Sequence, residues 1–502
     1  MSQEVDLLIN NGVVVTVDGD NRVFMQGGVA VREDRIVAVG RSEDLARGFV
    51  AKKTIDAHNK LIMPGLIDTY HHAGHGMIKG IYRTGMGPGL GWPPNELYFH
   101  GTTPDWWHAE GLLTAVERVK FGVTTGVTIM GGTPARTDSP IFAERNSQAV
   151  EKVGIRAVIG VGPPDPFLNL GHGWSGTFFE GGRAIKRPFT YEQTIEVSRD
   201  VIGRLKGGAG GRVQTMLAVP YLCGMNPEYM TGPHHYPYSK DDAKVMRDKA
   251  LEARRIADEF SVIIHTHGAR GVFEWAEKNY GRETLGEILG SNVIFAHANG
   301  LTDLDISIMK ECDVAATAVP FAAWNTSLGT CPIVKLIQSG VRVAISTDGA
   351  APFHVTDLFV DIHRAMFMQW MENHSMSLLQ AGRAIRLVTI EAAALLGMEK
   401  EIGSLEVGKK ADIILIDLDQ PHLVPFEDPA NMIAFYVRGN DVETVVVDGA
   451  VLMEGRTVKT VNEADVLRYA REEIAGSFKR VNIAHYLEHT SGFWQGLQES
   501  AS

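Results

Sequence analysis

Cysteine is scarce in this chain, with three in 502 residues, Cys223, Cys312 and Cys331. None forms a CxxC pair, which excludes a disulfide framework and a structural cysteine–zinc site. No uncharged apolar stretch approaches the ~18–20 residues that a bilayer-spanning helix needs, so no membrane segment is expected. The opening MSQEVDLLINNGVVV lacks a basic stretch and a long apolar core, so no secretory signal is expected and the cytoplasm is the default location. Positive charge is in deficit: 48 basic against 60 acidic residues give a net −12. That disfavours nucleic acid or an anionic membrane surface as partner. No repeat or low-complexity segment is visible. With 44% hydrophobic and 22% charged residues, the composition is that of an ordinary soluble globular protein. The length admits one large unit plus a smaller one.

What the chain does have is four short segments of one design. They are MPGLIDTYHH (63–72), VIIHTHGAR (262–270), VIFAHANG (293–300) and VAISTDGAAP (343–352). Each is an apolar run that stops at His or Asp and passes into small residues or glycine. A strand buried on both faces reads as a continuous Val/Ile/Leu run. A polar group at its C-terminal end, followed by a loop, is how a (β/α)8 barrel builds an active site. Four such ends can converge on one ion.

The surrounding pattern is an α/β fold. The middle of the chain alternates helical pieces, such as DDAKVMRDKALEARRIADEF, with strands such as VGIRAVIGVG and VQTMLAVPYL. This implies parallel βαβ units closed into a (β/α)8 TIM barrel over 63–399. Both chain ends instead read as short strands separated by NG, DG and GG turns. We therefore expect residues 1–62 and 400–460 to form one small composite β-sandwich domain, and 461–502 a C-terminal helical tail. Phe493 and Trp494 in that tail could pack on a neighbouring subunit or on their own barrel. Two stretches, 78–108 and 163–189, are rich in Gly, Pro and aromatics and read as binding loops for an apolar or aromatic ligand. From them and the later strand ends, Trp92, Trp107, His172, Trp324, Asn325 and His354 are candidates to line a pocket. His100, His108, His234 and His235 read better as loop or packing residues.

These pieces resemble the amidohydrolase superfamily over nearly the full length. PGLID (64–68), KFGVTT (120–125), IIHTHGAR, AHANGLTDLDI, STDGAAP and GSLEVGKKADIILID (403–417) carry the likeness. It is nearest to the branch of triazine hydrolases and cytosine, guanine and adenosylhomocysteine deaminases. The resemblance implies one divalent metal ion per chain, zinc for preference, with iron, manganese or cobalt also accepted by such donors. It places ligands at His72, His267 and Asp348, with His297 at the sixth strand as a further ligand or a catalytic donor. A common oligomeric habit in the family, with the aromatic tail, implies a dimer or larger.

Three departures stand out. Tyr70 occupies the place of the first His of the family's His-x-His. His71 beside it points the other way in a regular strand, and a bulge would make it a ligand instead; His75 lies further along the same loop. Arg270 stands where the branch's deaminases carry Glu, and Gly300 where a His is common. The bound water would become a nucleophile near neutral pH. Asp348 would act as general base and then general acid, and His297 would stabilise growing negative charge. Tyr70 could ligate the metal, donate to the oxyanion, or simply fill space. Arg270 is a poor proton donor, which argues against ring deamination. It could instead bind a substrate carboxylate, or pair with Glu274. The expected function is therefore a mononuclear hydrolase that cleaves a non-ring C–N bond of an amide, urea, carbamate or thiocarbamate with a hydrophobic or aromatic part. The alternative is an aminohydrolase or dechlorinase acting on a triazine, pyrimidine or purine-like ring. A metal-free binding protein is the third possibility.

Overall fold

Apolar runs flanked by glycine and polar residues set the architecture. The computed structural model describes residues 2–81, 96–130, 136–164, 174–229, 240–322, 329–351 and 354–483. Strands β1 (Gln3–Val15), β2 (Val23–Arg32), β3 (Arg35–Arg41), β4 (Phe49–Asp56) and β5 (Lys60–Pro64) come from the first part of the chain. Next come β6 (Leu66–Asp68), β7 (Val123–Met130), β8 (Arg156–Val161) and a hairpin of β9 (Trp174–Glu180) and β10 (Arg183–Phe189). After them follow β11 (Val213–Val219), β12 (Ile264–Ala269), β13 (Val293–Asn299), β14 (Ala315–Ala318) and β15 (Val343–Ile345). The last are β16 (Ile413–Asp417), β17 (Val442–Val447), β18 (Ala450–Glu454) and β19 (Thr457–Val458).

The middle strands form an eight-stranded parallel sheet in the order β6-β7-β8-β11-β12-β13-β14-β15. Every residue of β7 and of β8 is buried, as expected of strands covered on both faces. The first and last strands are short, three residues each, and the ends of the sheet meet through other groups. At the C-terminal end, Asp348 N donates to Tyr70 O at 3.0 Å. Thr347 donates to the Asp68 carboxylate through N at 3.1 Å and Oγ1 at 2.8 Å. Lower down, the carbonyls of Leu387 and Val388 accept from Ile345 N and Ile67 N and fill the gap between the two strands. The result is a TIM barrel with its strand ends drawn together at one mouth.

The two chain ends make a second, nine-stranded sheet in which β16 pairs antiparallel with β5 and with β17. It takes in residues up to Pro64, slightly past the expected boundary at 62. It wraps a separate core that includes Ile9, Val29, Ile36, Ile62, Ile413 and Leu415. Arg156, at the start of β8, joins the two sheets. Its guanidinium donates to the buried Asp412 at 3.2 Å and to the half-buried Asp448 at 2.5 Å. The helical tail is a helix over Glu463–Val481. Phe493 and Trp494 lie outside the described residues.

Two loop readings change. The second half of 163–189 is the β9–β10 hairpin, turned by Gly181 and Gly182 at φ +55° and +78°, where glycine bears no steric cost. Arg136 anchors it by donating to Thr177 O (3.1 Å), while its guanidinium stacks 4.1 Å from the Phe142 ring centre and 4.8 Å from that of Phe178. Trp107 does not line a pocket. It is fully buried on the helix Pro104–Lys120, and its indole N–H donates to Thr102 Oγ1 at 3.1 Å. A tryptophan that finds a partner for its N–H inside the core is a packing residue. Replacing Arg156 by Met should leave Asp412 and Asp448 without their shared counter-charge. We expect a loss of about 3–5 kcal/mol, read as a lower midpoint in chemical or thermal denaturation.

Candidate active site

The strand ends bring five predicted residues to one place. Tyr70 and His72 follow β6, His267 lies on β12, His297 on β13, and Asp348 follows β15. The Tyr70 hydroxyl sits at the convergence. Its oxygen is 2.5 Å from His72 Nε2, 2.6 Å from His267 Nε2 and 3.4 Å from His297 Nε2. Asp348 closes the ring of donors, with Oδ1 3.5 Å from His72 Nε2 and Oδ2 3.9 Å from His297 Nε2.

The hydrogen bonds assign the tautomers. His267 Nδ1 donates to Pro220 O at 3.0 Å, so its Nε2 presents a lone pair to the phenol. The single phenolic proton goes there, and His72 Nε2 donates to the phenol oxygen. Alternation along the HTH segment places His265 on the same side as His267. Its ring stacks on Tyr70 at 4.8 Å and 14°. Sequence reasoning passed over His265; its i, i+2 relation to His267 was the available signal.

Burial governs the electrostatics. Desolvation, opposed by the bond to Pro220 O, lowers His267 from 6.5 to about 4. Desolvation and then the neighbouring His267 lower His297 to about 3. His72 is pushed well down, first by burial and then by the crowd of imidazoles. Asp348 is raised from 3.8 to about 7, chiefly by burial, against a hydrogen bond from Gly349 N. Burial also drives the Tyr70 phenol well upward, so it carries its proton. The cluster is neutral imidazoles, a protonated phenol and a carboxyl group poised near neutrality. His297 and Asp348 both hold positive φ, +67° and +63°. For non-glycine residues that conformation costs on the order of 1–3 kcal/mol and recurs at functional sites.

Other predicted residues lie apart. His71 points away from the convergence: its Nδ1 lies 3.4 Å from Thr347 Oγ1, so no bulge turns it toward the other donors. His75 stacks on His72 at 5.0 Å, and its Nδ1 donates to Ala351 O at 3.1 Å. Gly349 makes room for it, since a Cβ there would come within 1.9 Å of His75 Nδ1. Arg270 is exposed and lies 4.8 Å over the Tyr229 ring; among the described residues it forms no ion pair with Glu274. His354 is buried behind Asp348, stacked on Phe321 at 4.6 Å, with Nε2 3.2 Å from the fully buried Asp361 carboxylate. His100 faces Thr177 and His108 donates to Arg145 O, both away from the site. Trp92, His172, His234, His235, Trp324 and Asn325 lie outside the described residues.

Among the described residues, no three His, Cys, Asp or Glu side chains form a ready-made metal cage. The donors nonetheless suit one. Three imidazole Nε2 atoms and a carboxylate face one point, and His72 Nε2 and Asp348 Oδ1 are separated as two ligands of one ion are, about 3.3 Å for bonds near 2.0 Å. The Tyr70 oxygen stands beside that point, 2.5 Å and 2.6 Å from the Nε2 atoms of His72 and His267. No helix among the described residues is long and apolar enough to cross a membrane.

Comparison with known proteins agrees with this architecture. A 5-methylthioadenosine/S-adenosylhomocysteine deaminase of Syntrophomonas wolfei is 28% identical over 481 residues, spanning 93% of this chain and 98% of the relative. An adenosine deaminase from Xanthomonas campestris, solved with bound Zn, superposes with a TM-score of 0.76 at 20% identity, covering 95% of this chain and 100% of that one. A mutant atrazine chlorohydrolase from Arthrobacter aurescens, complexed with zinc and atraton, gives 0.73 at 20% identity over 93% and 100%. The Amidohydrolase family model matches residues 61–452, from the last strand before the barrel into the closing β strands. The chain therefore belongs to the amidohydrolase family and is a hydrolase of carbon–nitrogen bonds.

Proposed function

We propose that this chain is a metal-dependent aminohydrolase that displaces an amino or comparable leaving group from a triazine, pyrimidine or purine-like ring. The observation that carries the reading is the placement of Asp348, whose carboxylate oxygens lie 3.5 Å and 3.9 Å from the Nε2 atoms of His72 and His297 and which burial raises to about 7. The relatives add weight to the ring: curated relatives matched over nearly the whole chain are named as deaminases of adenosine derivatives, and one fold neighbour as a mutant atrazine chlorohydrolase. This moves the preference away from the acyclic amide, urea, carbamate or thiocarbamate expected from the sequence.

His72, His267 and Asp348 would hold one divalent ion, with His297 alongside. When bound, that ion supplies Lewis acidity and draws the pKa of water down towards about 7. The residues do the rest. Asp348 takes a proton from the attacking water as its oxygen bonds to the ring carbon. It then returns that proton to the leaving nitrogen, the C–N bond breaks and ammonia departs. A chloride leaving group needs no such proton. Negative charge that develops on the adjoining ring nitrogen is met by a hydrogen bond from His297 Nε2–H. Arg270, exposed over Tyr229, takes no part in this transfer.

The acyclic reading keeps specific support in Tyr70 and Arg270, which replace the first His and the Glu of the ring deaminases. Ammonia release from a panel of amino-heterocycles, set against amine release from aryl ureas and carbamates, separates the two. We expect the ring substrates to turn over, and Asp348→Asn to lower kcat by at least about a hundredfold, the lower range for positioned acid–base groups. Full activity in that variant would sink the mechanism.

The metal-free protein should be acid-sensitive. His267 and His297 bind protons in the unfolded chain near 6.5 but in the folded chain only at about 4 and about 3. Their contribution to stability is present above 6.5 and lost as pH falls towards 4. Asp348 acts oppositely, its contribution being present at low pH and lost as pH rises through about 7. Asp68, Glu110, Asp357 and Glu391 are raised by burial and act in the same sense as Asp348. Against them stand the depressed His71, His72, His75, His265, His267 and His297, and we expect the chelator-treated protein to melt lower at pH 5 than at pH 7.5. In His297→Gln that difference should shrink; an unchanged difference would show that these groups do not govern it.

A further inference from the structure

Resting on the metal site proposed above, we infer that Tyr70 itself supplies an oxygen ligand to the ion, in place of the missing first histidine. The argument is one of confinement. The Tyr70 oxygen lies 2.5 Å and 2.6 Å from the Nε2 atoms of His72 and His267, two of the residues that would hold the ion. The ring has nowhere to go. It is fully buried and stacked at 4.8 Å on His265. It meets the rings of His72, His267 and His297 edge-on at 4.9, 5.6 and 5.4 Å. It belongs to one buried cluster with the barrel-interior residues Ile67, Val127, Met216 and Ile294.

A rotamer change would drive the phenol into that packing, and interiors this dense do not absorb it. An ion gathered by His72 and His267 therefore meets the phenol oxygen within its own coordination sphere. Donor atoms sharing one ion stand about 3.3 Å apart, so the oxygen and nitrogens need separate by less than about 1 Å. The donor set becomes two nitrogens and two oxygens, counting Asp348. That is harder than a three-histidine set and shifts preference from zinc towards iron or manganese. On coordination the phenol O–H bond breaks, the oxygen keeps the electron pair as a donor and its proton leaves to solvent, while the neutral His72 ring carries its proton on Nδ1 instead of Nε2, freeing the Nε2 lone pair for the ion.

Copper(II) is the probe, since it binds such donors tightly and gives a phenolate-to-metal charge-transfer band in the visible. Chelator-treated full-length protein would be titrated with copper(II), reading absorbance and bound metal per chain by elemental analysis. We expect one ion per chain with that band in the native protein. In Tyr70→Phe the band should vanish and affinity fall at least about tenfold, since even the outer partners of metal ligands are worth that much. Circular dichroism checks the fold, and Tyr70→His, which restores a nitrogen donor, should bind without the band. One copper per chain with no band, and equal affinity in Tyr70→Phe, would overturn the assignment while leaving the hydrolase reading intact. No copper uptake by the native protein would overturn both.

Discussion

The organising constraint is the burial of nitrogen donors that must find something to bind. Imidazole Nε2 atoms of His72, His267 and His297, brought together out of water, cannot be left facing one another. Here the Tyr70 hydroxyl answers them, donating once and accepting from the side. Burial does more than place these groups. It keeps the imidazoles neutral and therefore able to ligate, and lifts Asp348 to about 7, where a carboxyl group can both take and give a proton.

The rest of the barrel serves that convergence. The sheet ends in two three-residue strands that meet through Asp68, Thr347, Tyr70 and Asp348 rather than through a long ladder. The same residues that close the barrel thus belong to or adjoin the proposed site. Left-handed backbone at His297 and Asp348 aims their side chains across the mouth at a conformational cost that the closed barrel sustains. Around the site, Gly349 leaves room for His75, and His354 lies against the buried Asp361 carboxylate.

Much of this was legible in the sequence. Continuous apolar runs ending in His or Asp named β6, β12, β13 and the end of β15, because strands covered on both faces have no polar alternation to hide. The split β domain showed in the turn-rich ends of the chain. The aromatic stretches are more regular than their composition suggests: Trp107 is core, and 174–189 is a hairpin anchored by Arg136 where an irregular loop was expected. Composition reports which residues are present, not which neighbours they find. The choice between ring and acyclic substrates also lay beyond residue types. Relatives along the whole chain weigh towards the ring, whereas Tyr70 and Arg270 point the other way.

By itself the sequence determined the barrel, the composite sheet and the short list of donors, since these follow from periodicity and from residue chemistry along the strand. It did not determine the rotation of Tyr70 and His71, the stacking of His265, or the fate of Arg270. Those depend on contacts between residues far apart in the chain. Alternation along β6 allows either Tyr70 or His71 to face inward; what selects Tyr70 is Asp348 N fastening its carbonyl and His265 receiving its ring. Only the closed barrel brings those partners within reach, and only there does a lost ligand position become an oxygen at the centre of the site.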